Sequence, residues 1–280
     1  MIDSVFLVIA VAALFIGATS GALGVVLVLR KRSLLGDAIA HATLPGVALS
    51  YLLFGKDPLM LVLGASIAGI IGVALVVLIT NTTRLRTDVV MGMMLAVFFG
   101  VGMVLLTYIQ KLPTTGQAGL TAFIFGQAAA VVWDDVVLLI AFGVPILAVV
   151  VIAWPIIHAF CFDHAWVEVR GLPAFVVDIV LMLLISVIIA LGLPMVGALL
   201  MSALLIAPAV AARQWVKSMS AMMVLAAIIG ASGGLVGAYL SATFERVPTG
   251  PTIVFLCVMV ALISLVMAPR VRTYVRRGPA

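Results

Sequence analysis

Long apolar runs separated by short polar breaks dominate the chain. Nine of them, near 5–29, 34–54, 59–79, 89–109, 136–158, 174–192, 194–212, 221–241 and 251–268, approach the ~20 residues that an α-helix needs to cross a bilayer. A tenth run, 120–131, is too short to cross and predicts a re-entrant half-helix whose backbone must be covered by protein. The runs are continuous rather than alternating, which argues against a β-barrel. Between the sixth and seventh runs, Gly192-Leu193-Pro194 leaves room only for a very tight turn or a broken helix. Glycines four apart, at Gly17/Gly21, Gly230/Gly234 and Gly233/Gly237, predict helices whose backbones approach closely.

Composition makes the membrane assignment firm. Of 280 residues, 66% are hydrophobic and 9% charged, with a mean hydropathy of +1.41, more apolar surface than a soluble domain can hide. The expectation is an all-α polytopic membrane protein, with about nine transmembrane helices plus a short re-entrant helix, forming a single domain over 1–280. No polar connection exceeds about a dozen residues, so an ATPase or ligand-binding module, where one is needed, must come from another chain.

The net charge of +5 is no nucleic-acid signature, because the basic residues cluster at span ends. With the N-terminus outside, Arg30, Lys31, Arg32, Arg84, Arg86, Arg170, Arg213, Lys217, Arg270, Arg272, Arg276 and Arg277 fall inside, and only Lys56, Lys111 and Arg246 fall outside. That bias predicts a cytoplasmic C-terminus in a cell inner or plasma membrane. Cys161 and Cys257 are too few for a disulfide framework. The first apolar run lacks a basic leader and is long enough to span, unlike a cleavable signal.

The chemistry concentrates at Asp37 and His41. They are the only ionisable groups between Ser33 and Tyr51, and a spacing of four puts both on one helix face. An ionisable group at membrane depth costs roughly 2.5 kcal/mol or more and marks a functional site by default. A carboxylate with an imidazole suits Mn, Fe, Zn or Co better than an alkali cation. The same pair also suits a proton relay. Pro45 and Gly46 are expected to weaken the helix one turn beyond His41 and open carbonyls toward a cavity.

The segment from Gly36 to Leu49, which contains this pair, resembles the signature of membrane permeases from ABC importers of manganese, zinc and iron, the ABC-3 type. Phe125-Gly126-Gln127 with Val132-Trp133-Asp134-Asp135, the stretch Val196 to Ala209, and Pro248-Thr249-Gly250-Pro251-Thr252-Ile253-Val254 are similar to further family segments in the same order. The resemblance implies a type II ABC importer-like permease that is not itself an enzyme and holds no permanent cofactor. A divalent metal (Mn2+, Zn2+ or Fe2+) would be its substrate. It further implies a second permease copy or paralogue, cytoplasmic ATP-binding subunits and an extracytoplasmic metal-binding protein. The family's Asp and His fall on Asp37 and His41. Pro45 is commoner among manganese- and iron-type relatives than among zinc-uptake ones.

Phe162 to Pro173 resembles the family's ATPase coupling segment. Asp163 suits an N-cap, Gly171 a helix stop, and Trp166 an apolar anchor, with Glu168 between them. His158, Cys161 and His164 have metal-like spacing, but interfacial histidines around an inert cysteine are the preferred reading. The competing function is a secondary transporter driven by an ion or proton gradient, with the same pair as relay. No serine–histidine, paired-aspartate or H-E-x-x-H arrangement supports an intramembrane enzyme.

Overall fold

A computed structural model describes residues 2–111, 126, 131–162, 174–244 and 247–268. These form ten helices and, among the described residues, no strand: α1 Ile2–Leu29, α2 Ser33–Phe54, α3 Pro58–Thr82, α4 Thr87–Gln110, α5 Trp133–Ile152, α6 Trp154–Phe162, α7 Ala174–Val196, α8 Ala198–Trp215, α9 Met219–Thr243 and α10 Thr249–Met267. Eight are long and apolar enough to cross a membrane, and α8 is a shorter apolar helix. The chain is therefore a multi-pass, all-helical membrane protein. The expected re-entrant segment lies largely outside the described residues.

Contacts among the described residues gather at two ends of the bundle. At the basic end, Arg30 and Arg32 between α1 and α2 meet Asp178 early in α7. Arg213 near the close of α8 donates to the Val28 carbonyl at the same end (3.5 Å). At the opposite end, Gly126 and Gly250 both press on the backbone at the α7–α8 junction. Side chains cap several of the exposed helix starts. The Asp57 carboxylate accepts from Leu59 N (3.0 Å) ahead of Pro58, the Ser218 hydroxyl accepts from Ala221 N (3.3 Å), and the Asp135 carboxylate accepts from Val132 N (3.0 Å). Asp57 and Asp135, two of the acidic residues at that end, thus hold helix starts.

Two expected boundaries move. The fifth run, expected as one helix over 136–158, breaks at Ala153 into α5 and α6. Pro155 has no N–H to offer the carbonyl four residues back and its ring crowds that carbonyl, which favours the break at Ala153 just ahead of it. The turn expected at 192–194 falls instead at Gly197, whose φ of 89° favours glycine. Pro194 is carried inside α7, and Gly197 N closes that helix on the Leu193 carbonyl (2.9 Å).

The most extensive packing joins α1 to α9 in antiparallel register. A Cβ on Gly17 would collide with the Gly230 carbonyl, one on Gly21 with the Ala226 carbonyl, and one on Gly234 with the Ala13 carbonyl. The second glycine row of α9, Gly233 and Gly237, faces Cys257 and Ile253 of α10. All three glycine pairs read from the sequence are therefore seams within the chain. Gly100 on α4, by contrast, has nothing within 4 Å of a built Cβ. Gly230→Val is expected to force α1 and α9 apart at a cost of about 1–3 kcal/mol, whereas Gly100→Ala leaves stability unchanged or raises it by up to about 1 kcal/mol. Thermal unfolding of both variants in detergent tests this, and equal midpoints would refute the seam.

Candidate metal-ion site

The helix that carries the site is gripped on two sides by glycines. A Cβ on Gly64 of α3 would strike the Ser50 hydroxyl and the Gly46 carbonyl, and one on Gly72 would strike the Ala42 methyl at 2.7 Å. From α4, a Cβ on Gly102 would lie 2.8 Å from Leu44 Cβ and 3.3 Å from Pro45 Cδ. Helix α2 runs unbroken through Pro45 to Gly55, whose φ of 73° ends it. The expected weakening at Pro45–Gly46 is thus not a break, because tight packing against Gly64 and Gly102 holds the helix in line. What remains of the effect is local: Pro45 has no N–H, so the His41 carbonyl lacks its helical partner.

Asp37 lies one turn into α2, roughly 6 Å along the axis from Ser33, and His41 another turn deeper. Their side chains share a face, with Asp37 Oδ1 and His41 Nε2 3.6 Å apart. That separation fits one ion held roughly 2.1 Å from each donor. The two differ in setting: the Asp37 side chain is 34% exposed and the His41 side chain 7%. Asp37 lines an open groove of about 450 Å³ between α2, α8 and α10, with Ser33, Ser202 and Ala203 among its walls. His41 is set edge-on to Phe99 of α4, with ring centres 5.0 Å apart at 82°. Its Nδ1 is buried without a hydrogen-bond partner. An orphaned polar atom of this kind costs on the order of 1–3 kcal/mol and occurs mainly where function demands it. No group of three or more His, Cys, Asp or Glu side chains gathers anywhere among the described residues, so Asp37 and His41 form a two-ligand set.

The stretches that resemble one another's family counterparts in sequence also meet in space. Gly126 (φ 75°) packs its backbone on Val196 and Gly197, and a Cβ on Gly250 would lie 3.2 Å from the Met195 and Val196 carbonyls. Ser241 fastens the start of α10 through the Val247 carbonyl and the Thr249 hydroxyl, both at 2.7 Å. The ABC 3 transport family matches residues 3–268. The chain belongs to that family. It is 42% identical to the zinc transport system membrane protein TroC of Treponema pallidum (strain Nichols), over 92% of this chain and 87% of that protein. It is 38% identical to the manganese transport system membrane protein MntC of Bacillus subtilis (strain 168), over 92% of this chain and 59% of that longer protein. Among solved structures it is similar to PsaBC from Streptococcus pneumoniae in complex with Fab, with a TM-score of 0.85 and 29% identity over 98% of this chain and 95% of that one. As an ABC 3 family member the chain is a membrane permease subunit, and ATP hydrolysis belongs to a separate subunit.

The coupling residues Asp163, Trp166, Glu168 and Gly171 lie outside the described residues, as does His164. Helix α6 leads into that stretch. On it His158 is exposed and stacks between Trp154 and Phe162, with ring centres 6.1 and 5.1 Å away. Cys161 sits instead beside Arg30, and burial pushes its thiol up to about 11, against the pull of that arginine. A thiol that stays protonated at neutral pH is a poor ligand, and His158 stands among rings rather than beside it.

One cluster escaped the sequence reading. Arg30 and Arg32 both bind the Asp178 carboxylate, the second at 2.7 Å, and the Arg30 guanidinium lies 4.0 Å over the Phe160 ring. Burial lowers the Arg30 guanidinium from its usual value, and Asp178 opposes that shift. The available signal was that Asp178 is the only charged residue in α7, which at membrane depth calls for a partner. Asp178→Ala leaves two neighbouring arginines without a counter-charge. It is expected to destabilise the fold by about 2 kcal/mol and lower the thermal midpoint by several degrees; an unchanged midpoint would show the cluster to be energetically idle.

Proposed function

We propose that this chain is the permease subunit of an ATP-driven importer for a divalent transition metal, manganese or zinc, working by alternating access with Asp37 and His41 in the pathway. The observation that carries the proposal is the pair itself: two donors 3.6 Å apart, one facing an open groove and one buried with an unpartnered Nδ1. Relatives named for zinc and for manganese support the substrate class.

The charge bias supports an orientation with the N-terminus outside and the basic end in the cytoplasm. The pair then lies in the inner half of the bundle. The partners are a second permease copy, cytoplasmic ATP-binding subunits and an extracytoplasmic metal-binding protein. In the cycle, metal arrives from the binding protein, rests on Asp37 and His41, and leaves inward when ATP-driven motion opens the basic end. Two protein ligands hold an ion weakly, which suits a site that must release it. The remaining donors would be water, the His41 carbonyl left free by Pro45, or the same pair of a second copy.

Radiolabelled manganese and zinc uptake tests the proposal, in cells lacking their own importers and expressing this chain with its ATPase and binding protein. Asp37→Ala with His41→Ala is expected to abolish uptake at equal membrane abundance, and the isotope preferred by the wild type names the substrate. Transport that persists in the double variant removes the pair from the pathway. Transport that is abolished by uncouplers yet needs no ATPase favours a gradient-driven carrier instead. Only a neutral imidazole binds metal, so uptake at fixed binding-protein occupancy is expected to fall as the pH drops between about 8 and 5. A flat profile would argue against His41 as a ligand.

A further inference from the structure

A cavity of about 220 Å³ opens at the basic end, between the α1–α2 connection, the close of α3, and the starts of α4 and α7. It is separate from the groove at Asp37. Its polar rim carries Arg30, Arg32, Thr80 and Asn81, and Val77, Met91, Phe175 and Met182 add apolar lining, with Phe175 half exposed.

The rim has more donors than acceptors. A guanidinium carries five N–H groups, and Arg30 and Arg32 each place one hydrogen bond on Asp178. That leaves the cavity one net positive charge, with both Asp178 oxygens already engaged. Thr80 adds a further donor. The hydroxyls of Thr82 and Thr83 return to carbonyls of α3 at 2.8 and 2.7 Å, but Thr80 Oγ1 is buried with no partner. Helix α4 begins at Thr87 on the same rim, and its N-cap residue Arg86 makes no side-chain cap bond. A half-enclosed site with spare guanidinium donors, an unused hydroxyl and an uncapped helix start is complementary to a phosphate group.

We propose that this cavity binds the phosphate of an anionic phospholipid headgroup. The apolar side chains Val77, Met91, Phe175 and Met182 beside the charged groups favour an amphiphilic lipid over a soluble phosphate. The location agrees: basic pockets between transmembrane helices at the level of the headgroups recognise anionic lipids in this way. The bound lipid supplies the negative charge that Asp178 alone does not, and it braces the connection from which α2, with Asp37, departs.

The test uses the full chain reconstituted in nanodiscs of phosphatidylcholine with about one-fifth phosphatidylglycerol, followed by native mass spectrometry. Wild-type protein is expected to retain one phosphatidylglycerol that Arg32→Gln retains about tenfold less, the loss of one charge-assisted hydrogen bond. The Arg30–Asp178 pair stays intact in that variant. Thr80→Val, which is nearly isosteric and leaves all three charges in place, is expected to weaken retention in the same direction and decides the matter if Arg32→Gln does not fold. Equal retention by wild type and Thr80→Val, or by wild type and a folded Arg32→Gln, overturns the proposal. In a second arm, inorganic phosphate is added to protein in phosphatidylcholine alone. Thermal protection of the wild type by phosphate, without retained phosphatidylglycerol, would assign the site to a soluble anion and overturn the headgroup assignment; absence of protection is the expected result.

Discussion

Where lipid is as apolar as the side chains, burying more leucine does not draw helices together, and the decisive contacts are those where backbones touch. This chain makes such contacts through glycine at every level. Gly17 and Gly230 let α1 and α9 meet carbonyl to carbonyl, while Gly64, Gly72 and Gly102 press α3 and α4 onto α2. The second set fixes the candidate site. Residues 42, 44, 45 and 46 of α2 are clamped, and His41 is the residue immediately before them, with Asp37 one turn earlier on the same face. A methyl group on Gly102 would press on Leu44 and Pro45, although neither glycine nor proline has chemistry of its own.

Much of this was legible in the sequence, and the reason is that the bilayer imposes a simple code. Length and hydropathy locate the spans because a helix must be about 20 residues long to cross. A spacing of four makes both the glycine seams and the Asp37–His41 pair visible, since it is the repeat of a helix face. The code fails where the decisive fact is not periodic. Pro155 breaks the fifth run and Pro194 does not break the sixth, although both are prolines in apolar surroundings. The sixth run ends only at Gly197, which takes a positive φ.

Pairing across the chain is likewise hidden. Arg30 and Asp178 are 148 residues apart, and nothing periodic connects them. Phe99 against His41 is a contact between α2 and α4 that hydropathy cannot assign. The sequence did carry a weaker signal, that a lone carboxylate within an apolar helix requires a partner. Applied to Asp178 as it was to Asp37, that reasoning calls for a basic partner at the same end, without choosing Arg30 and Arg32 over Arg84, Arg86 or Arg170.

The two carboxylates show how one residue type serves opposite ends. Asp178 has both oxygens occupied by arginines and about an eighth of its side chain exposed; it is spent on structure. Asp37 has no arginine, faces a groove, and shares its face with an imidazole just beyond hydrogen-bond reach at 3.6 Å. A carboxylate already neutralised by two guanidinium groups offers little attraction to an arriving cation, whereas one with no arginine partner keeps its charge available. Arg30 and Arg32 are turned onto Asp178 and neither pairs with Asp37, the carboxylate we propose as a ligand for a divalent cation.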